Sequence, residues 1–351
     1  MFVSRRFFVV AVSIVISAVL TVPAWACGGL VAPNGGINLV RTSTLAAYHD
    51  GIEHYITSFE FNGEGGGKFG SIVPLPGVPT DVKKGGRWTL ERLQLETQPV
   101  LEDTALFANK AGAEVAYDSA RVLLTTRIEA LKITVLEGGG DAVGEWTKDH
   151  GFSLPPDAPE MLDFYASRSP IFMAVKFDVS EAKERGLEAG DGTPVHVTIP
   201  TPNPWVPLRI LGLGKQSAEL IDADVYLLND AEPNLLPQPK PGSGFSLEQS
   251  GPATKTLLRD LRSDRGMKWL PKSDMWLSYI RISTTAGKLT HDLAIDASGL
   301  GEPSPVAAGL ESVGPGLQLP TDATVWWPWL LAAMLAVATI SISNRRLSAR
   351  R

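Results

Sequence analysis

Tyr55-Ile56-Thr57-Ser58-Phe59-Glu60-Phe61 alternates strictly: Tyr55, Thr57, Phe59 and Phe61 share one side, Ile56, Ser58 and Glu60 the other. A period of two with aromatic and β-branched residues is the pattern of a strand with one buried face. Asp50-Gly51 just upstream is a turn signal after Leu45–Tyr48. Downstream, the glycine-rich run Gly63–Gly67 leads into a second strand, Phe69–Pro74, and the three pieces together predict consecutive hairpins. Further strands are expected at Ile128–Leu136, Ile171–Val179, Val195–Ile199, Ala223–Leu228 and Trp276–Ser283.

Helical patterns are fewer and short. Asp141 as N-cap and Gly151 as stop delimit Ala142–His150, and Pro156-Asp157 opens a second helix over Ala158–Ser167. Glu181–Gly186 and Thr254–Ser263 are short amphipathic candidates, and Pro99 divides the ambiguous run Thr89–Lys110. Asn229–Pro252 reads as a long loop or interdomain connection. The fold class is therefore α+β: a β-rich body of antiparallel sheets, sandwich-like, with a few short helices. Trp146 is expected under its helix, between Leu162 and Tyr165 on the next helix and the Ile171, Met173, Val175, Phe177 side of the following strand.

The chain has 351 residues, with 34 Gly and 26 Pro, which favours turns and short strands. Its net charge of −6 understates the acidity of the middle, because Arg5, Arg6, Arg345, Arg346, Arg350 and Arg351 stand in end segments free of acids. An acidic body without basic runs argues against nucleic-acid binding. Cys27 is the one cysteine, which excludes an intrachain disulfide and a cysteine-built metal site.

Arg5 and Arg6, the apolar run Phe7–Val22 and Ala24-Trp25-Ala26 form a secretory leader over residues 1–26, cleaved before Cys27. Ser4-Arg5-Arg6-Phe7-Phe8 also resembles a twin-arginine signal. A lipid on Cys27 would call for a different pair than Ala24 and Trp25 before it. The residues between Asp322 and Arg345 carry no charge. At 1.5 Å per residue they reach about 33 Å, enough for a hydrocarbon core of about 30 Å. Trp326, Trp327 and Trp329 at the start and four arginines at the end fit a transmembrane helix over 325–343 with a cytoplasmic basic tail, 344–351. Leu319-Pro320-Thr321-Asp322-Ala323 resembles a wall-sorting pentapeptide, but Asp322 stands where the acyl-donating threonine belongs. Residues 297–324 read as a Pro/Gly-rich stalk. The body is then 27–296, divisible at about 27–180 and 190–296.

Chemical motifs are scarce. Gly63–Lys68 fails as a phosphate loop, because Asn62 and Phe69 occupy positions that should be Gly and Ser or Thr. His49 and His54 flank a turn and read as solvated; His150 suits a helix C-terminus; His196 and His291 read as structural. Asp222 and Asp224 are no more distinctive than other acid pairs. No catalytic residue, cofactor or metal ligand is expected. Two Pro-rich strand ends, Val73–Pro79 and Ile199–Pro207, read either as equivalent exits from a sheet or as a rigid lip presenting Trp205 to a partner. Cys27 and Trp205 are thus the candidate contact residues, Cys27 also for lipidation, with a buried apolar role as its alternative.

Cys27-Gly28-Gly29 after the leader, Gly70–Pro79, Val143–Phe152 running through Tyr165 into Phe172–Lys176, Pro207-Leu208-Arg209 followed by Asp224–Leu228, and Trp276-Leu277 leading to Asp292-Leu293 occur in an order that resembles the bacterial family catalogued as domain of unknown function 2330. The stretch Leu136–Gly140 is shorter than that pattern. The resemblance implies export and a terminal membrane span, and it carries no activity. The expectation is a single-pass membrane protein whose exported body is a non-catalytic binding or structural module for an envelope component or protein. The alternative is an envelope-associated, hydrolytic enzyme with scattered carboxylates.

Overall fold

In the computed structural model the described residues are 30–31, 38–62, 68–98, 120–178 and 193–312. The leader, Cys27, the Gly63–Gly67 run, the Glu181–Gly186 helix, the span 325–343 and the basic tail lie outside them. Among the described residues no helix is long and apolar enough to cross a membrane.

The chain runs β1 (Leu30–Val31), β2 (Asn38–His49), β3 (Ile52–Asn62), β4 (Lys68–Pro74), β5 (Asp81–Lys84), α1 (Arg87–Thr97), β6 (Arg121–Ile128), β7 (Leu131–Glu137), α2 (Gly140–Asp149), α3 (Ala158–Ala166), β8 (Ile171–Asp178), β9 (Val195–Pro200), β10 (Trp205–Val206), β11 (Leu220–Asn229), β12 (Asn234–Leu236), β13 (Phe245–Pro252), α4 (Lys255–Ser263), β14 (Trp276–Thr285) and β15 (Leu293–Asp296). Seven strands form one sheet in the order β13-β14-β11-β2-β3-β9-β5, five form a second, β1-β4-β8-β7-β6, and three a third, β10-β15-β12. All pairs are antiparallel except β2 with β11. The large sheet draws strands from both expected halves of the body.

Side-chain alternation builds a helix–sheet–sheet–helix stack. From β8, Met173, Val175 and Phe177 enter the core between the two larger sheets, where they meet Val197, Val225 and Ile280. Phe172 and Ala174 of the same strand turn the other way and pack with Trp146, Leu162 and Tyr165 of the α2–α3 layer. Trp146 is buried as expected, but against the opposite side of β8 from the one the alternation pointed to. Both faces of that strand are covered, so apolar residues on one side do not say which layer lies there. Beyond the seven-stranded sheet, Leu45 and Ile56 pack with Leu90 and Leu93 of α1 and Leu257, Leu258 and Leu261 of α4. Thr254 caps α4, its hydroxyl accepting from the Leu257 amide at 3.1 Å.

Several expectations are corrected. β3 and β4 lie in different sheets, so they are not hairpin partners. Glu129, at φ 53°, turns the chain between β6 and β7, inside the stretch read as one strand. The Asn229–Pro252 loop contains β12 and β13. The N-cap of α2 is Gly139 without a side-chain bond; Asp141 sits in the first turn, where its charge meets the positive helix end. Gly151 does end that helix, at φ 76°. Residues 297–312, read as the start of a stalk, pack on the body. Ala308 is fully buried, its carbonyl accepts from the Asp292 amide at 3.0 Å, and the Ala307 carbonyl accepts from Arg168 at 2.7 Å. The two Pro-rich ends meet each other: a Cβ on Gly77 would lie 3.1 Å from the Pro200 carbonyl.

Candidate functional site

Glu53 and His54 are neighbours on β3, so their side chains leave opposite faces of the seven-stranded sheet. Glu53 pairs across to Tyr48 on β2 and Ile199 on β9, and Asn229 on β11 pairs with Tyr48. Pairing partners share a face, so Asn229, Tyr48 and Glu53 stand side by side at one level of the sandwich interior, with Tyr48 packed against its core.

Glu53 has no accessible surface, and no donor among the described residues stands in full hydrogen-bond geometry to either carboxyl oxygen. Burial pushes its pKa up to about 8, with the Trp205 backbone amide pulling more weakly the other way. Asn229 is 1% exposed, and its amide oxygen and nitrogen are both without a partner. Tyr48 donates to the Thr201 carbonyl at 2.9 Å. Burial, then the charges of Glu53 and Asp230, raises its phenol. A carboxyl with no partner lowers stability wherever the unfolded chain can ionise it, and costly groups collect at functional sites.

On the opposite face His54 Nδ1 lies 3.0 Å from His196 Nε2, and the Trp269 ring stacks on His54 at 3.5 Å. Burial, then His196 and Lys83, lowers the His54 pKa to about 3; burial, then Lys83, lowers that of His196 to about 4. This corrects the reading of His54 as solvated. His196 is buried as a structural histidine, but its Nδ1 has no partner, and neither has Trp269 Nε1. His49 is half-buried and bonds Asp230 at 2.7 Å. No group of three or more His, Cys, Asp or Glu among the described residues could hold a metal ion. The histidine pair is one hydrogen bond, not a ligand set.

The two faces titrate in opposite directions. Glu53 keeps its proton in the fold up to about pH 8, whereas the unfolded chain loses it above 4.5, so stability falls as pH rises between these values. The imidazoles of the unfolded chain charge below 6.5 while the folded pair stays neutral to about 4 and 3, so stability also falls as pH drops from 6.5. Two histidines outweigh one carboxyl between 4.5 and 6.5, so denaturant unfolding should show a stability maximum near pH 6.5. Glu53→Gln should remove the alkaline decline, gaining about 3 kcal/mol at pH 7 and nothing below pH 4.5. A wild-type chain equally stable at pH 6.5 and 8 would contradict the assignment.

A third buried polar centre is complete. Asp292 Oδ1 accepts from Tyr165 Oη at 2.8 Å and from the amides of Leu208 at 2.7 Å and Arg209 at 2.9 Å. Its Oδ2 accepts from Arg168 Nη2 at 2.7 Å. Tyr165 Oη accepts in turn from the Ile210 amide at 2.8 Å. The Arg168 guanidinium lies 4.1, 4.8 and 5.2 Å from the ring centres of Phe164, Tyr165 and Trp205. Trp205 is 3% exposed, which overturns its placement on an exposed lip. β10 pairs with β15, Trp205 beside Ala294, and alternation sends Val206 into the inter-sheet core and Trp205 under α3. Cys27 lies outside the described residues.

The signal for Glu53 was present in the chain. The alternation that begins at Tyr55 continues back by two residues, which places an acid on the buried stripe. Asn229 and Trp269 carry no such mark, because their setting depends on strands and loops distant in sequence.

A family model described as an uncharacterized protein conserved in bacteria, DUF2330, matches residues 22–232. That stretch holds Glu53, His54, His196 and Asn229, and stops short of Trp269 and Asp292. No curated protein matches. Among solved structures, that of baculovirus P35 aligns over 74% of this chain and 97% of its own at 10% identity and a TM-score of 0.39. A mutated baculovirus P35 after caspase cleavage aligns over 73% and 99%, at 9% identity and a TM-score of 0.35.

Proposed function

Because the chain belongs to the DUF2330 family, we propose that it is an exported bacterial protein, held in the cell membrane by the 325–343 span, whose β-rich body is a non-catalytic binding or structural module of the envelope. The observation that carries the non-catalytic part is the enclosure of the groups with the largest shifts. Glu53 and His196 have no accessible surface, and His54, 8% exposed, is covered by the Trp269 ring. A general acid or base has to come within hydrogen-bond reach of a substrate proton. The leader pattern, the charge-free run after Asp322 and the four terminal arginines support export and anchoring.

The raised carboxyl of Glu53 is the one observation favouring a hydrolytic enzyme, since general acids have such values. Protease added outside intact cells should digest the body and leave a small C-terminal fragment; a protected body would refute the topology. Capture on the full chain from native envelope should retain the same partner with wild type and Glu53→Gln. A partner turned over by wild type and merely held by Glu53→Gln would establish the enzyme instead.

A further inference from the structure

Between the sheets lies a small cavity lined by Thr42, Thr44 and Tyr55 of the seven-stranded sheet, Ser71 of the five-stranded sheet, and the segment around Val206 and Leu208. The centre of a water molecule can occupy about 20 Å³ there, where about 10–15 Å³ suffices for one water. Thr42 and Ser71 are 5% and 4% exposed, and Thr42 Oγ1 and Ser71 Oγ bond to no group among the described residues. Each hydroxyl carries a donor and acceptor capacity that is expensive to leave unused in a core. Thr44 Oγ1 is already engaged with Thr57 Oγ1 at 3.0 Å.

The geometry points to a binding site for one ordered water that joins Thr42 Oγ1 to Ser71 Oγ and ties the two sheets together across the core. A cavity lined only by alkyl groups stays dry, whereas two unused hydroxyls and the neighbouring Thr44–Tyr55 oxygens supply the two to four partners that a buried water needs. The site is independent of the reading given above for Glu53.

Two measurements on the full-length protein test it. A crystal structure fine enough to show ordered waters should contain a peak about 2.6–3.2 Å from both hydroxyl oxygens. Thr42→Val and Ser71→Ala should each lower Tm by about 2–4 °C, since each leaves the other hydroxyl and the water short of a partner. The double variant should be no less stable than the weaker single one, because no orphaned group remains. An empty cavity, or losses that add in the double variant, would overturn the proposal.

Discussion

Asp292→Ala should destabilise the fold by about 3–5 kcal/mol, the range found when one partner of a buried ion pair is removed. The Arg168 side chain is 4% exposed, so its charge would be left in the core with aromatic rings and the neutral Phe164 and Ala307 carbonyls beside it. The Leu208 and Arg209 amides and the Tyr165 hydroxyl would lose their shared acceptor in the same step. Asp292→Asn keeps an oxygen for those three donors but sets an amide NH2 against Arg168 where Oδ2 accepted, so it removes the ion pair and spares the shared acceptor; its loss should be smaller than that of alanine. Denaturant midpoints for the two variants decide the matter. An alanine variant within 1 kcal/mol of wild type would mean that Asp292 does not organise this centre.

Trp205→Ala should cost about as much as Trp146→Ala, each about 3–5 kcal/mol. Both rings belong to the core under α2 and α3. Trp205 lies 5.9 Å from the Tyr165 ring, nearly parallel to it, and Trp146 stacks on His150 at 3.7 Å. Removing the Trp205 ring also takes one wall from the Arg168 guanidinium. For a domain with about 5–15 kcal/mol in hand, either loss is large. A Trp205 variant that melts with wild type would restore the exposed lip.

Local pattern made β3, β8, β9, β11 and β14 legible, because each alternates or runs apolar over at least five residues, whereas β2 showed only as Leu45–Tyr48 before the Asp50-Gly51 turn. It failed on β13, an outer strand of the seven-stranded sheet whose largely exposed Ser, Glu, Gln, Gly and Pro resemble a loop. It failed on β12 as well, since three residues are too few to show a period. The turn at Glu129 escaped notice because a left-handed glutamate carries no composition signal. The candidate site divides the same way. Glu53 could be placed from its own strand, but His54 was misread as solvated because its cover, Trp269, comes from the far end of the chain. Arg168 and Asp292 stand 124 residues apart, and no local rule pairs them.

The parallel contact between β2 and β11 also sets a timetable. β2 is among the first strands to be synthesised, yet its neighbour on one side is not made until Ala223–Asn229. Gln98, at the end of α1, waits for Tyr279, 181 residues on. These contacts cannot form until the later strands are made, so completion of the large sheet waits on synthesis of the distant segments. Until β11 arrives, the β2 edge stays open to other chains, which makes it the place where a truncated or stalled copy should aggregate. If the chain is exported from its N-terminus as proposed, the same delay means that the large sheet cannot lock before most of the body has passed.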